Sequence, residues 1–167
     1  TGVAVAKTLE RIGVENPEIK WPNDIMINGK KVCGILTESS IDYKNNKINY
    51  VIVGIGIDVT GKYFPEKLAK IATSIEKESG KVIDRNELIA EILNGFKDFE
   101  AQILSGKYFG EYKARSNILN KQIVVSSLTE TFEATAVDIL DNGALLVKKG
   151  EELITLTVGD VSVKPCN

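Results

Sequence analysis

The sequence predicts an α+β fold in which a mixed or antiparallel sheet packs against helices and a small β-barrel follows. Three patterns along the 167 residues predict it. Short β-like runs joined by turn residues dominate the chain up to about residue 57, and apolar residues at helical spacing dominate from about residue 65. Five short strand-like runs then fill roughly the last 50 residues, a density typical of a small barrel.

The first elements are a helix and four β-like runs. Apolar residues at helical spacing predict a helix over residues 1–12, which Gly13 is suited to end. The runs that follow are Glu18–Trp21, Ile25–Ile27, Lys31–Glu38 and Ile48–Ile57. Asn28-Gly29 lies between the second and third runs, and this dipeptide is the strongest short signal for a two-residue hairpin. Asn45-Asn46 marks a second turn.

The helical middle and the second β-region come next. Asp84 provides a capping-box-like start for a helix that extends as far as Leu104, and a shorter helix is predicted over Lys107–Arg115. The later runs are Ile123–Val125, Phe132–Ile139, Ala144–Val147, Leu153–Thr157 and Val161–Val163. Residues 1–116 carry 17 basic and 16 acidic groups, whereas residues 117–167 carry 4 basic and 7 acidic groups. We therefore expect two domains, 1–116 and 117–167.

Composition excludes several function classes. A net charge of −2 gives no basic field for nucleic acid, so we expect no nucleic-acid partner. The absence of histidine excludes a Ser-His-Asp triad, a Cys-His pair and a histidine-ligated zinc site. Cys33 and Cys166 lack metal-ligand spacing, which indicates free thiols in a reducing cytoplasm.

No apolar run approaches the ~18 residues that a membrane-spanning helix needs, so no membrane association is expected. The first residues form a helix pattern without a basic leader, which argues against a signal peptide. Because that pattern begins at Thr1, we expect the chain to be a fragment or a shortened form.

Lys20-Trp21-Pro22-Asn23-Asp24 is the first segment that can carry chemistry. Pro22 removes a donor for strand pairing, so the preceding strand is expected to end there or to lie at a sheet edge. Asn23 and Asp24 then offer an amide and a carboxylate at a strand end, where a metal–phosphate pair can bind. From spacing alone, a plain Asx turn is favoured over a binding site.

Gly54 and Gly56 form the second such segment. Alternate strand positions face the same side, so two missing side chains leave a slot where a flat ligand can lie on the backbone. Close packing by a helix explains the pattern equally well. Lys31, three residues before Gly34, can neutralise a carboxylate or phosphate at such a slot, although a lysine pair in a hairpin is usually only solvated.

Taken together, these residues resemble the biotin–protein ligase family. Lys20–Asp24, Gly29–Glu38 and Gly54–Val59 are similar, in this order, to the family's KWPND, GKKxxGILxE and GIGINV motifs. The resemblance covers essentially the whole chain and extends into the small barrel. It implies the second half of a biotin/lipoate ligase-like catalytic domain, followed by an SH3-like barrel. The family's GRGRxGR loop and the DNA-binding module of some members have no counterpart in these residues.

The resemblance implies an ATP-dependent ligase. Members use MgATP to convert biotin into biotinyl-5′-adenylate and then pass the biotinyl group to a lysine of a biotin-carrier domain, usually on a carboxylase. Charge neutralisation and exclusion of water suffice for this chemistry, so the lack of histidine is no objection. The resemblance further implies a cytoplasmic enzyme, with homodimerisation through the central sheet as a weaker expectation.

It also implies a role for each site residue. Lys31 matches a lysine that reaches the biotin carboxylate and the adenylate phosphate, which makes it the implied catalytic residue. The implied biotin-binding residues are Lys31, Gly34, Ile35, Gly54 and Gly56. The implied ATP- and adenylate-binding residues are Asn23, Lys31, Asp58 and Lys164. Asn23 and Asp58 are the implied contacts to Mg²⁺.

Other positions that match the family include two that differ from its usual residues. Val59–Ala72 corresponds to the family's lid over the adenylate, and Asp24 either supports its own turn or approaches the acceptor lysine. Asp58 replaces a common asparagine, and its carboxylate repels phosphate unless Mg²⁺ lies between them. Lys164 replaces a common arginine and lacks its planar fork. Asp160 matches a position where the barrel reaches back towards the nucleotide.

Two other readings stay open from the sequence. The chain could be a non-catalytic binder of biotin or biotinyl-adenylate, or a module that pairs through a sheet edge. Alternatively, the substrate could be lipoate, since lipoate–protein ligases share a related catalytic fold.

Overall fold

The chain folds into two antiparallel sheets with helices between them in sequence. The structure is a computed structural model and describes residues 1–61, 63–127, 129–157 and 161–165. Its helices are α1 (Gly2–Arg11), α2 (Glu66–Ala69), α3 (Ile75–Ser79), α4 (Arg85–Ser105) and α5 (Tyr108–Ala114). Its strands are β1 (Glu18–Lys20), β2 (Asp24–Ile27), β3 (Lys30–Asp42), β4 (Lys47–Ile57), β5 (Gln122–Ser127), β6 (Thr131–Ile139), β7 (Leu145–Lys149), β8 (Glu152–Leu156) and β9 (Val161–Pro165).

The first sheet has the strand order β1-β2-β3-β4, with every neighbouring pair antiparallel. Asn28 and Gly29 form the β2–β3 turn with φ values of +50° and +73°, the left-handed pair that a type I′ hairpin requires. β1 ends before Pro22 and lies at a sheet edge, which confirms the prediction made from that proline. β4 forms the other edge.

β3 and β4 are longer than the sequence predicted, because the hairpin continues through polar residues to a tight turn. The register runs from Cys33 opposite Ile57 to Asp42 opposite Lys47. The Asp42 carboxylate accepts hydrogen bonds from the backbone and side chain of Asn45 and so closes the turn. Tyr50 and Ile52 on β4 are both more than half exposed, so the far half of this hairpin extends into solvent.

The first core lies between the sheet and helices α1 and α4. Val5 and Leu9 of α1 are fully buried, as are Ile25 of β2 and Val32 of β3. Full burial of such a side chain contributes roughly 1.5–3 kcal/mol, so this contact fixes α1 on the sheet. Gly95 lets α4 approach closely, since a Cβ there would lie 3.0 Å from the Thr8 hydroxyl of α1.

The second sheet contains all five strands predicted for this region, in the order β8-β7-β6-β5-β9. β9 returns beside β5, with Lys164 opposite Val124 and Val163 opposite Val125. Its buried residues are Ile123, Val125, Ala134, Ala136, Ile139, Leu145, Val147, Leu156 and Val163. Among the residues described, no pairing joins β8 to β9, so the predicted barrel is seen as an antiparallel sheet.

Trp21 joins the two halves. Its indole is 2% exposed, packs in the core of the second sheet, and donates a hydrogen bond from Nε1 to the Gly143 carbonyl at 2.9 Å. The Tyr112 hydroxyl of α5 donates to the Pro22 carbonyl at 2.9 Å. Burial raises the pKa of Tyr112, so the hydroxyl keeps its proton for this bond. The domain boundary at residue 117 stays a prediction. Trp21 belongs to the first predicted domain by sequence but packs in the core of the second.

Some expectations concern other parts of the chain. Cys166 and Asp160 lie outside the described residues. Cys33 is a free, buried thiol, as expected. None of the helices described is both long and apolar enough to cross a membrane.

We predict that Trp21→Ala lowers the free energy of unfolding by about 3–5 kcal/mol, because it leaves a cavity in the second core and an unpaired Gly143 carbonyl. Urea unfolding followed by circular dichroism measures this free energy. Tryptophan fluorescence cannot be used, because Trp21 is the only tryptophan. Tyr63→Ala is the control, since Tyr63 is 95% exposed and should change stability by less than about 0.5 kcal/mol. Equal unfolding midpoints for the two variants would contradict the role given to Trp21.

Candidate active site

An open cavity of about 720 Å³ lies where the β1–β2 connection meets β3 and β4. Six of the residues singled out in the sequence line it: Asn23, Lys31, Gly34, Ile35, Gly54 and Gly56. Trp21 and Asp24 contribute from the same connection, and Val163 contributes from β9 of the second sheet. The cavity is therefore built from both sheets, and we refer to it as the glycine cavity.

The floor of the glycine cavity is bare backbone. Gly34 pairs with Gly56 and Leu36 pairs with Gly54, so these residues share one face of the β3–β4 ladder. A Cβ on Gly54 would meet only the Leu36 carbonyl, at 3.8 Å, and one on Gly56 only the Gly34 carbonyl, at 3.9 Å. No side chain of the residues described comes within 4 Å of a Cβ on Gly54 or Gly56. The alternative of close helix packing is therefore wrong, and the slot is open.

Lys31 lies across Gly34 at one side of this floor. Its Nζ is 2.5 Å from Oδ1 of Asp24. A Cβ on Gly34 would lie 3.0 Å from that Nζ, so the missing side chain makes room for the lysine. The Lys31 side chain is 45% exposed, and an ion pair at such exposure is worth only up to about 1 kcal/mol. An incoming anion can therefore draw the ammonium away from Asp24 at little cost.

Asn23 is fixed to β3 by two hydrogen bonds. Its carbonyl accepts from the Ile35 backbone N–H at 3.0 Å, and its side-chain Nδ2 donates to the Ile35 carbonyl. The peptide between Trp21 and Pro22 is cis. The Asx turn favoured from spacing is not the arrangement seen, because the Asn23 amide donates across to β3. Its Oδ1 has no hydrogen bond among the contacts described and is the atom it can offer a ligand.

The backbone of Lys31 is held on its outer side by Ile71, near the end of the predicted lid, and by Thr73, just after it. The Lys31 N–H donates to the Ile71 carbonyl at 2.8 Å, and the Lys31 carbonyl accepts from the Thr73 N–H at 2.9 Å. Thr73 is fully buried. The sequence analysis gave Thr73 no role of its own; the available signal was the two adjacent hydroxyl residues Thr73-Ser74, because hydroxyl groups that become buried need partners.

Asp58 lies away from the glycine cavity. Its side chain is exposed, its N–H donates to the Val32 carbonyl, and its carbonyl accepts from the Ile75 N–H. It lines a different cavity, of about 530 Å³, between β4 and α4. Asn23 and Asp58 thus do not share a cavity. Among the described residues, no three acidic, cysteine or histidine side chains cluster as metal ligands. The ATP and Mg²⁺ roles of Asp58 stay predictions.

Lys164 also lies outside the glycine cavity. It is exposed, whereas the preceding Val163 is buried and lines the cavity, as strand alternation requires. The predicted lid, Val59–Ala72, does not contribute to the lining in its described residues. Tyr63 points into solvent at 95% exposure, while Phe64 packs on Gly61, where a Cβ would lie 3.2 Å from its ring. The nucleotide role of Lys164 and the lid both stay predictions.

Comparison with known proteins identifies the family. Residues 1–58 match the model of the biotin/lipoate A/B protein ligase family, and residues 118–164 match that of the biotin protein ligase C-terminal domain. The bifunctional ligase/repressor BirA of Bacillus spizizenii is 36% identical over 96% of this chain and 50% of its own length. The chain belongs to the biotin protein ligase family.

Other family members agree with this assignment. A biotin–[acetyl-CoA-carboxylase] ligase of Paracoccus denitrificans is 31% identical over 78% of this chain and 56% of its own length. The solved biotin protein ligase of Aquifex aeolicus, in complex with biotin and ATP, superposes with a TM-score of 0.81 at 26% identity, covering 99% of this chain and 69% of that one. The chain thus has the α+β fold of a biotin protein ligase, and it spans about half the length of the curated relatives it matches.

Cys33 is the one cysteine that the structure describes, and it lies two residues after Lys31 on β3. Burial raises the pKa of its thiol to about 12, and Lys31 only partly offsets this effect. The thiolate is the nucleophile in cysteine chemistry, so Cys33 is suited to packing rather than to catalysis.

We therefore predict that, in a Cys166→Ser background, iodoacetamide modifies native Cys33 at pH 8 at least ~100-fold more slowly than the urea-unfolded chain. The rate should rise about tenfold per pH unit up to about pH 11, because the thiolate fraction does so below the pKa. Mass spectrometry of timed samples measures both rates. Native modification within about threefold of the unfolded rate would show that the thiol is accessible and ionised.

Proposed function

We propose that the chain forms the second half of the catalytic domain and the C-terminal domain of a biotin–[acetyl-CoA-carboxylase] ligase. The observation that carries the proposal is the open glycine slot with the Lys31 ammonium at its side. Its support is the family membership and the likeness to an Aquifex aeolicus protein solved with biotin and ATP. The C-terminal match is to a biotin ligase domain, which favours biotin over lipoate.

The first step joins biotin to AMP. A biotin carboxylate oxygen attacks the α-phosphorus of ATP, the bond to the β,γ-phosphates breaks, and pyrophosphate leaves with its electron pair. Negative charge gathers on the α-phosphate oxygens during the attack. The Lys31 ammonium is the positive group in the glycine cavity closest to the floor, and it offsets that charge.

The second step transfers biotin to protein. The amine of a carrier-domain lysine attacks the acyl carbon of biotinyl-5′-adenylate, forms an amide and releases AMP. Until the carrier arrives, the mixed anhydride has to be kept from water. Gly54 and Gly56 provide the flat surface on which biotin lies, and Leu36 provides apolar lining on the same face. Val163 lines the cavity from the second sheet, and Ile35 borders it while its side chain packs in the first core.

Magnesium enters this proposal with the nucleotide. Mg²⁺ keeps several waters and is usually held by one or two protein groups together with phosphates. Asn23 fits this need, because its free side-chain oxygen borders the glycine cavity. Asp58 does not fit the same ion, because it lines a different cavity. Bound Mg²⁺ would neutralise the leaving pyrophosphate.

The finer expectations belong to the same proposal. We propose that the second sheet is an SH3-like barrel forming domain 117–167 and that residues 1–116 form the partial catalytic domain. The proposed protein partner is the biotin carboxyl carrier domain of a carboxylase, and the proposed location is the cytoplasm. Homodimerisation, the absence of a nucleic-acid partner, and the nucleotide roles of Asp58 and Lys164 stay predictions.

The deciding experiment is biotin-dependent exchange between labelled pyrophosphate and ATP, catalysed by a longer chain that joins this sequence to the first half of the catalytic domain, with lipoate as the control acid. We expect exchange with biotin and none with lipoate, because residues 118–164 match the C-terminal domain of biotin ligases. Exchange with lipoate and none with biotin would show that lipoate, not biotin, is the substrate. In that longer chain, calorimetric binding of biotin without exchange would support the non-catalytic binder, and absence of both binding and exchange would refute the proposal.

We predict that Lys31→Ala lowers the exchange rate at least ~100-fold, the scale of one lost electrostatic stabiliser. Lys30→Ala is the matched control, because Lys30 precedes it on β3 but does not line the glycine cavity. That variant should retain exchange within about threefold of the wild-type rate. Near wild-type exchange in Lys31→Ala would remove the role given to its ammonium.

A further inference from the structure

The Glu78 carboxylate links two separate parts of the chain. Its Oε1 accepts a hydrogen bond from the Thr73 hydroxyl at 2.6 Å, and its Oε2 accepts one from Nδ2 of Asn28 at 2.6 Å. Asn28 lies in the β2–β3 turn and Thr73 lies just before α3. Glu78 is itself on α3, so one carboxylate joins the hairpin turn to the segment that precedes its own helix.

Both linked segments flank Lys31. The β2–β3 turn leads directly into Lys30 and Lys31, and residues 71–73 run parallel to Lys31 on its outer side. The Lys31 N–H donates to Ile71 and the Lys31 carbonyl accepts from Thr73, at 2.8 and 2.9 Å. The Thr73 backbone N–H is thus hydrogen-bonded to Lys31, while the Thr73 hydroxyl is hydrogen-bonded to Glu78.

From this geometry we propose that Glu78 is a positioning residue for Lys31, holding the lysine backbone at the glycine cavity through Thr73 and Asn28. The catalytic consequence rests on the proposed ligase function. A long, half-exposed lysine side chain reaches a fixed point only if its backbone is fixed. Glu78 supplies that fixation without contacting the cavity itself.

Charge supports the arrangement. Burial acts to raise the pKa of Glu78, but the hydrogen bonds from Thr73 and Asn28, together with Lys30 and Lys77, lower it below its ordinary value. The carboxylate is therefore ionised at neutral pH and accepts from both donors at once. Charge-assisted hydrogen bonds of this kind are about twice as strong as neutral ones.

A glutamine is a weaker partner than this carboxylate. Its amide has one acceptor oxygen and one donor nitrogen, so in Glu78→Gln the oxygen accepts from Asn28, the Thr73 hydroxyl has to turn and accept from the nitrogen, and both hydrogen bonds lose the charge that strengthens them. Glu76→Gln is the matched control, because Glu76 lies on the same helix and loses the same charge. The Glu76 carboxylate accepts from the Ile83 N–H and does not contact the segments that flank Lys31.

Hydrogen exchange of backbone amides tests the positioning itself and needs no ligand. In Glu78→Gln, protection of the Lys31 and Thr73 amides should fall about 10-fold, while amides of β5 and β6 keep their wild-type protection. Glu76→Gln should leave the Lys31 and Thr73 amides unchanged. Unchanged protection in Glu78→Gln, or an equal fall in the control, would overturn the proposal.

Pyrophosphate exchange tests the consequence for chemistry. We expect Glu78→Gln to lower kcat about 10-fold with KM for biotin changed less than about threefold, because the substrate slot is intact and the lysine is misplaced. In a Lys31→Ala background the same change should have no further effect. A full additional 10-fold loss there would show that Glu78 acts on the fold generally.

The two arms separate the proposals. If the longer chain with the first half of the catalytic domain neither binds biotin nor catalyses exchange, the ligase function is refuted. The amide protection still decides whether Glu78 positions Lys31.

Discussion

Burial of the Trp21 indole in the second core is the contact that the candidate site depends on. It fixes one end of the four-residue segment Trp21–Asp24, whose other members contact different partners. The Pro22 carbonyl accepts a hydrogen bond from the Tyr112 hydroxyl, and Asn23 forms two hydrogen bonds with the Ile35 backbone. Asp24 forms an ion pair with Lys31. A short segment tied at every residue from Trp21 to Asp24 has almost no conformational freedom left. The two sheets are thereby joined at the point where the cavity forms.

The cavity combines rigid backbone with a weakly held charge. Its floor is paired β-backbone, which cannot rearrange without breaking the β3–β4 ladder. The Lys31 ammonium, in contrast, is held by a half-exposed ion pair that is cheap to open. Preorganised backbone with one mobile cation suits a reaction in which negative charge develops on a phosphate and then leaves. In this cavity the Lys31 side chain can therefore move, whereas the β3–β4 backbone cannot.

Much of the fold could be predicted because its signals are local. Asn28-Gly29 specifies a hairpin by its left-handed φ values, Pro22 ends a strand, and Gly54 and Gly56 share a face through strand alternation. These features need only neighbouring residues. The motifs around them carried the family resemblance, and with it six residues that line one cavity.

The rest depends on contacts between distant residues, which spacing does not reveal. Trp21 meets Gly143 across 122 positions, and Asn28 meets Glu78 across 50. Asp58 follows the glycine strand directly, yet the chain turns there towards α3 and α4, so it borders another cavity. The position of Asp58 next to Gly56 in the sequence therefore did not predict which cavity it lines. Backbone hydrogen bonds from Asp58 to Val32 and Ile75 set the direction of the chain there.

The edges of the first sheet limit how copies of this chain can aggregate. β1 is short, and at Ile19 its outer side is already bonded to the backbone of Arg115 and Asn117. β4 presents the other edge, with Tyr50 and Ile52 exposed along it. A sheet with one free edge can join another copy only once, since the joined pair has no such edge left. Among the residues described, a further strand can therefore pair with this sheet at β4 but not at Ile19 of β1.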